Sequence, residues 1–322
     1  YKMKFLKRFF KWLLIVFVFI FCILSIIPYF FSDHLKEAPA KPFENSYFFE
    51  FNHTRFHYRL FIPKHITHKV VMIHGFSGST FSFRNNIDSL VSHHALVVAI
   101  DMPAFGFSDK SEDGDYNDFT KINGIHFLLQ QIDKHTNSKK WHLVGHSMGG
   151  ITIGQFASKY SELTQSLIFI DGLPFMQVEH SFLQKTLLYP PLLKWADVIL
   201  ERNFLSQHSF HKLLSSAYGQ DADSISTDGY MKPFETKGSG SAVIKMGANY
   251  NYPSFNDSII NALPKLIIWG AKDQWVPIVS ATDYLSKPNT QQLIIEDAGH
   301  CPMETHPEKV NTTITDFISK LD

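Results

Sequence analysis

Residues 143–150 read LVGHSMGG. A serine, Ser147, stands among glycines directly after an apolar run. Two readings compete for it. Serine is a favoured helix N-cap and glycine is common in turns, so Ser147 can be no more than the start of a helix. It can also be a catalytic nucleophile. The pattern G-x-S-x-G is short and arises by chance, so the rest of the chain has to decide.

Working outward, WHLVGHS (141–147) reads as a strand that ends at the serine, and residues 148–160 suit a helix. KVVMIHG (69–75), ALVVAID (95–101), SLIFIDG (166–172), KLIIWGA (265–271) and QLIIED (292–297) are further short buried strands. Residues 47–51 and 55–62 suggest an antiparallel start. Residues 81–92, 117–136 and 307–321 suit helices, the second with Ile122, Ile125, Leu128, Leu129 and Ile132 on helical spacing. Strands alternating with helices imply an α/β fold, a mostly parallel sheet with helices on both faces. The rhythm breaks between Gly172 and Pro264. This insertion, at about 173–263, reads as a helical cap over the strand ends. Within it, 182–205 is helical with a break at Pro190-Pro191, and 231–246 follows a polar stretch.

The 322 residues suit one large α/β domain, 47–322, and 44% hydrophobic residues supply a sizeable core. Thirty acidic residues balance thirty basic ones, and zinc-finger and RNA-binding signatures are missing, so nucleic acid is not an expected partner. Of the two cysteines, Cys22 lies in an apolar run and Cys301 near the far end, which argues against a disulfide between them. The apolar run, WLLIVFVFIFCILSII (12–27), follows five basic residues and no acid. With its extension to Phe31 it reaches about 30 Å as a helix, enough for a bilayer core. Residues 1–31 are therefore expected to be a membrane anchor, with the remainder exported, periplasmic or extracellular in a bacterium. A cleaved signal peptide is the alternative, with Ala38-Pro39-Ala40 as a poor cleavage site. Residues 32–46 read as a linker.

Ligands in parallel sheets bind at the carboxyl ends of strands, and four suggestive stretches fall there. They are HGFSGS (74–79), GHSMGG (145–150), GAKDQW (270–275) and DAGHCP (297–302). Together they supply a glycine-rich loop, a serine, an aspartate and a histidine, in that order.

On these stretches the chain resembles the α/β-hydrolase fold superfamily, in its serine-nucleophile esterase and lipase branch, monoacylglycerol-lipase-like. AIDMPAFGFSDKS (99–111) resembles the family's loop after the next strand, although Ala104 stands where a glycine is usual. GHCPMETHPEKVN (299–311) resembles the histidine loop and the helix beyond it. The resemblance implies Ser147 as nucleophile on a sharp strand-to-helix turn, His300 as general base and Asp273 as its acid partner. Asp171 and Asp297 are the rival acids. A serine hydroxyl needs such a base at neutral pH, and the base needs its tautomer held. The backbone N–H groups of Phe76 and Met148 are then the oxyanion donors. His74 and His146 are expected to be structural or to line the substrate pocket. The histidines follow no metal-ligand spacing, so no metal is expected, and no cofactor.

A serine at this position argues against epoxide hydrolases and haloalkane dehalogenases, which use aspartate there. Membrane context and an aromatic-rich cap suit a carboxylesterase or lipase acting on acyl or lipid-like esters. A lactonase, a C–C bond hydrolase and a non-catalytic membrane-tethered binding protein are the alternatives.

Overall fold

The computed structural model describes residues 2–31, 35–111, 113–136, 140–174, 186, 188–248 and 255–321. Among these, eight strands form one sheet in the order β1-β2-β4-β3-β5-β6-β7-β8. The strands are β1 (Ser46–Phe51), β2 (Thr54–Phe61), β3 (His68–Ile73), β4 (Ala95–Asp101), β5 (Trp141–His146), β6 (Thr164–Ile170), β7 (Lys265–Gly270) and β8 (Thr290–Ile295). The pairs β1–β2 and β2–β4 are antiparallel, and the rest are parallel. Asn52 and His53, both with positive φ, make the two-residue turn that joins β1 to β2.

The parallel strands are buried on both faces because their residues alternate between two cores. Val71, Ile73, Val98, Ile100, Leu143, Phe169 and Trp269 pack on one side with Ile125, Leu129, Ile153 and Phe156. Val70, Met72, Val97, Ala99, Val144, Ile168 and Ile268 pack on the other with Leu90, Val310, Ile314 and Phe317. The first helix is α1 (Lys2–Ile26), which stands outside these cores, and further helices follow. They are α2 (Ile87–Ser92), α3 (Asp118–Asp133) and α4 (Met148–Lys159), then, among the described residues, five between β6 and β7 and a long one near the C-terminus. The five are α5 (Pro190–Ile199), α6 (Gln207–Tyr218), α7 (Ser224–Met231), α8 (Ser239–Ala248) and α9 (Asp257–Ala262); the long one is α10 (Pro307–Ser319).

The helix expected over 81–92 is split into a 3-10 turn, Thr80–Phe83, and α2. Long-range bonds compete with the continuous helix: Asp101 Oδ1 accepts from Thr80 N–H at 2.6 Å, and the Asn86 amide donates to Met303 O at 3.0 Å. Pro190-Pro191 starts a helix instead of breaking one, since proline is well suited to the first helical turn. Residues 182–185 and 187 of the expected 182–205 helix lie outside the described residues, and so do 32–34 of the expected linker. Leu35 is buried, and Lys36 bridges Thr236 through Lys36 N–H to Glu235 O at 2.8 Å and Lys237 N–H to Lys36 O at 2.9 Å. Helix α1, continued by a 3-10 turn to Phe30, is long and apolar enough to cross a membrane.

Candidate active site

Ser147 occupies the turn between β5 and α4. Its backbone sits at φ 50°, ψ −118°, a strained region for a side chain with a Cβ. The turn closes only because small neighbours allow it: a Cβ on Gly149 would lie 2.2 Å from Ile73 O, and one on Gly172 would lie 2.2 Å from Ser147 O. Ser147 holds the N-cap position but makes no side-chain cap bond, so capping does not explain the residue. Its hydroxyl faces a cavity of about 340 Å³ that His300 also lines.

His300 is on the loop after β8. Its Nδ1–H donates to Asp273 Oδ2 at 2.7 Å, and both side chains are buried. That bond leaves Nε2 as the ring's acceptor. The Trp275 ring stacks on His300 with centroids 5.5 Å apart, and His146 Nε2–H donates to the His300 carbonyl at 2.8 Å. The imidazole is thus held by Asp273 and Trp275, and the His300 backbone by His146. Asp273, after β7, accepts from the amides of Trp275 and Val276 at 2.8 and 2.9 Å. Burial alone would raise this carboxyl, but the bond and charge of His300 with the two amides hold it below the usual carboxylate range.

Of the rival acids, Asp297 is largely exposed and faces His306 at 3.2 Å. Asp171 belongs to the cluster: one ligand atom each of Asp171, Asp273 and His300 lie within 4.8 Å of one another. Its Oδ1 accepts from Gly270 N–H at 3.0 Å, while its Oδ2 has no donor among the described residues if both carboxyls are ionised. Burial, and then the charge of Asp273, push its pKa well up. A proton on Asp171 resolves both facts, because it turns Oδ2 into a donor toward Asp273. These three groups are also the residues whose geometry would best suit a metal ion, but a protonated carboxyl and a committed His–Asp bond make a poor donor set.

Met148 opens α4, so its amide belongs to the first turn, where helix partners are lacking. Phe76 follows β3 and lines the cavity with Ser77 and Gly78. His146 lines it too, and burial drives its pKa down to about 3, so it is a neutral donor. His74 does not line this cavity. Its Nδ1–H donates to Gly75 O at 2.7 Å and its Nε2 accepts from Met102 N–H at 3.0 Å, which makes it a buried brace between two loops.

Sequence reasoning missed two features. Tyr218 on α6 and Tyr230 on α7 donate to the buried Glu304 carboxylate at 2.8 and 2.5 Å, and Arg84 also pairs with it. This ties the helices over the site to the core. Glu304 lies four residues after His300, but nothing local names its partners. The second feature is a Ser–His–Asp hydrogen-bond chain away from the cavity: Ser46 Oγ to His57 Nε2 at 2.8 Å, and His57 Nδ1–H to Asp101 Oδ2 at 2.7 Å.

A parallel sheet with a serine on a strained turn after β5, an aspartate after β7 and a histidine after β8 defines a class, the α/β hydrolases. The profile of the alpha/beta hydrolase fold matches residues 69–307, and the chain belongs to that family. The chain is 26% identical to the monoacylglycerol lipase ABHD6 of Mus musculus over 267 residues, covering 78% of this chain and 76% of that protein. It is 23% identical to the 2-hydroxy-6-oxo-6-(2'-aminophenyl)hexa-2,4-dienoic acid hydrolase of Metapseudomonas resinovorans over 258 residues, covering 78% and 84%. Among solved structures it is similar in fold to a serine hydrolase involved in carbazole degradation, with TM-score 0.66, 20% identity and coverage of 85% and 98%.

Proposed function

We propose that the chain is a serine hydrolase of carboxylic esters with acyl or lipid-like substrates. The observation that carries this reading is the His300–Asp273 bond of 2.7 Å beside a strained, uncapped Ser147 in one apolar cavity. In the proposed reaction His300 Nε2 takes the Ser147 proton as Oγ attacks the ester carbonyl. The carbonyl oxygen becomes an oxyanion, met by the Met148 and Phe76 amides and the positive end of α4. The C–O bond breaks, His300 returns the proton to the leaving alcohol, and an acyl-serine remains. Water, deprotonated by His300, releases the acid. Asp273 holds the Nδ1–H tautomer throughout and offsets the imidazolium charge. Helix α1 anchors the chain in a membrane, with the hydrolase domain on the exported side.

A C–C hydrolase uses the same array, and the dienoic acid hydrolase relative gives that reading its support. A dienoic acid carries a carboxylate that calls for a cation, and the described lining of the Ser147 cavity contains neither lysine nor arginine. The cavity therefore favours esters. Hydrolysis of p-nitrophenyl esters from acetate to palmitate, beside Ser147→Ala, tests the proposal. Serine-dependent turnover supports it; a folded wild-type protein that cleaves the dienoic acid and no ester would replace it.

A further inference from the structure

The first turns of the cap region are not separate from the anchor. Tyr189 stacks on Phe21 with centroids 5.8 Å apart, and its hydroxyl bonds Ser25 Oγ at 3.3 Å. Trp195 Nε1–H donates to Leu24 O at 2.9 Å, and its ring meets Phe31 edge-on. The depth of these contacts follows from helix geometry. Lys11 is the last cation of the basic cluster before the apolar run. At 1.5 Å per residue, Phe21 lies about 15 Å and Leu24 about 20 Å beyond it. A hydrocarbon core is roughly 30 Å thick, so the contact falls about 10–15 Å inside the far boundary.

The surface chemistry of α5 agrees with that depth. Leu192, Trp195 and Ile199 share one helix face at i, i+3 and i+7, and Leu192 and Ile199 are exposed. The polar side of the helix turns to protein: Asp197 accepts from Ser241 N–H at 2.8 Å. The Arg202 guanidinium, just past α5, lies over the Phe31 ring. Beyond α5, Leu200, Phe204 and Phe210 line a second, mainly apolar cavity of about 590 Å³, with His208 and Lys212 also on its wall, which shares Ser77 and Leu213 with the Ser147 cavity.

We infer that α5 lies within the leaflet on the domain's side, and that the second cavity is the path by which an acyl chain of a bilayer-resident lipid ester reaches Ser147. The inference rests on the ester-hydrolase reading for its substrate, but not for its depth. The anchor thus does more than tether. It fixes how deep the cap sits, and the groove opens toward hydrocarbon and not toward water.

The test uses the full chain in phosphatidylcholine vesicles. Leu192→Glu with Ile199→Glu places charge on the buried face and alters no residue that lines either cavity. Expected is a fall of about tenfold or more in hydrolysis of a long-chain monoacylglycerol held in the vesicle, because charge is costly in hydrocarbon. Hydrolysis of soluble p-nitrophenyl butyrate should stay within about twofold, since Ser147 and its partners are untouched. Equal rates on both substrates for variant and wild type would overturn the inference. A spin label at Ile199→Cys, in a Cys22→Ser background, reads depth without any activity. Accessibility to oxygen as in hydrocarbon supports the inference, and accessibility as in water overturns it. If wild type cleaves neither substrate while the label sits in hydrocarbon, the ester reading fails and the buried cap stands.

Discussion

The molecule contains two His–Asp pairs with bonds of the same length, one bonded to a serine, Ser46, and one sharing a cavity with another, Ser147. His300 Nδ1 meets Asp273 Oδ2 at 2.7 Å, and His57 Nδ1 meets Asp101 Oδ2 at 2.7 Å. Their surroundings differ. Ser46 is saturated: its Oγ bonds His57 Nε2 at 2.8 Å and accepts from Phe43 N–H at 2.9 Å, in ordinary backbone at the start of β1. Its aspartate also accepts from Thr80 and Phe107 N–H, so this chain pins the loop after β3. Ser147 makes no hydrogen bond through Oγ to any described residue, sits at positive φ, and opens on a cavity. Bonding pattern alone does not define a nucleophile. Strain, access and an uncommitted hydroxyl are what support the role proposed for Ser147.

Substitutions around the two pairs should therefore fail in different ways. The largest effect on rate is expected at Ser147→Ala, a fall of about 10⁴-fold or more in kcat for ester hydrolysis with an unchanged melting curve. Asp273→Asn should cost about 10⁴-fold in kcat, because the amide stabilises the wrong imidazole tautomer. In the buried chain, His57→Ala should leave kcat of the folded fraction near wild type yet lower stability by about 3–5 kcal/mol in urea unfolding, since buried Asp101 loses its hydrogen-bonded partner. Loss of kcat without loss of stability at His57 would break the distinction.

Asp171 gives a pH test. Its folded pKa is raised, so the native state binds more protons than the unfolded chain between the ordinary carboxylate value and the raised one. Stability from this group is complete below about pH 4 and falls as pH rises through that window. Asp171→Asn, which keeps a donor toward Asp273, should raise the melting temperature at pH 7 by at least about 2 °C and leave it unchanged at pH 3. The smallest effect is expected at Ala104. It sits at φ 78°, where glycine is free of strain, so Ala104→Gly should stabilise the chain by roughly 0.5–1 kcal/mol by chemical denaturation.

What the sequence made legible was what neighbouring residues encode. Apolar runs of parallel-sheet length marked every strand from β3 to β8, and glycines bracketed Ser147 because the turn crowds its own backbone. The pairing of Asp273 with His300 was readable because each lies in the loop that follows a strand. The Ser46–His57–Asp101 chain was not, because its members come from an antiparallel edge and a distant strand, with no motif spacing. Nor was the Glu304 network, whose donors come from α6, α7 and the turn before α2. For His74 the sequence left a structural and a pocket-lining role open, and its ring points into the protein and braces Met102. Local sequence names the loops; tertiary hydrogen bonds decide which side chains face the cavity.

The most direct test of the central distinction is to treat the folded chain with a fluorophosphonate ester and locate the adduct by peptide mass spectrometry. The account predicts one modified residue, Ser147, and no adduct on Ser46. An adduct on another serine, or an unmodified protein that is fully folded, would contradict it.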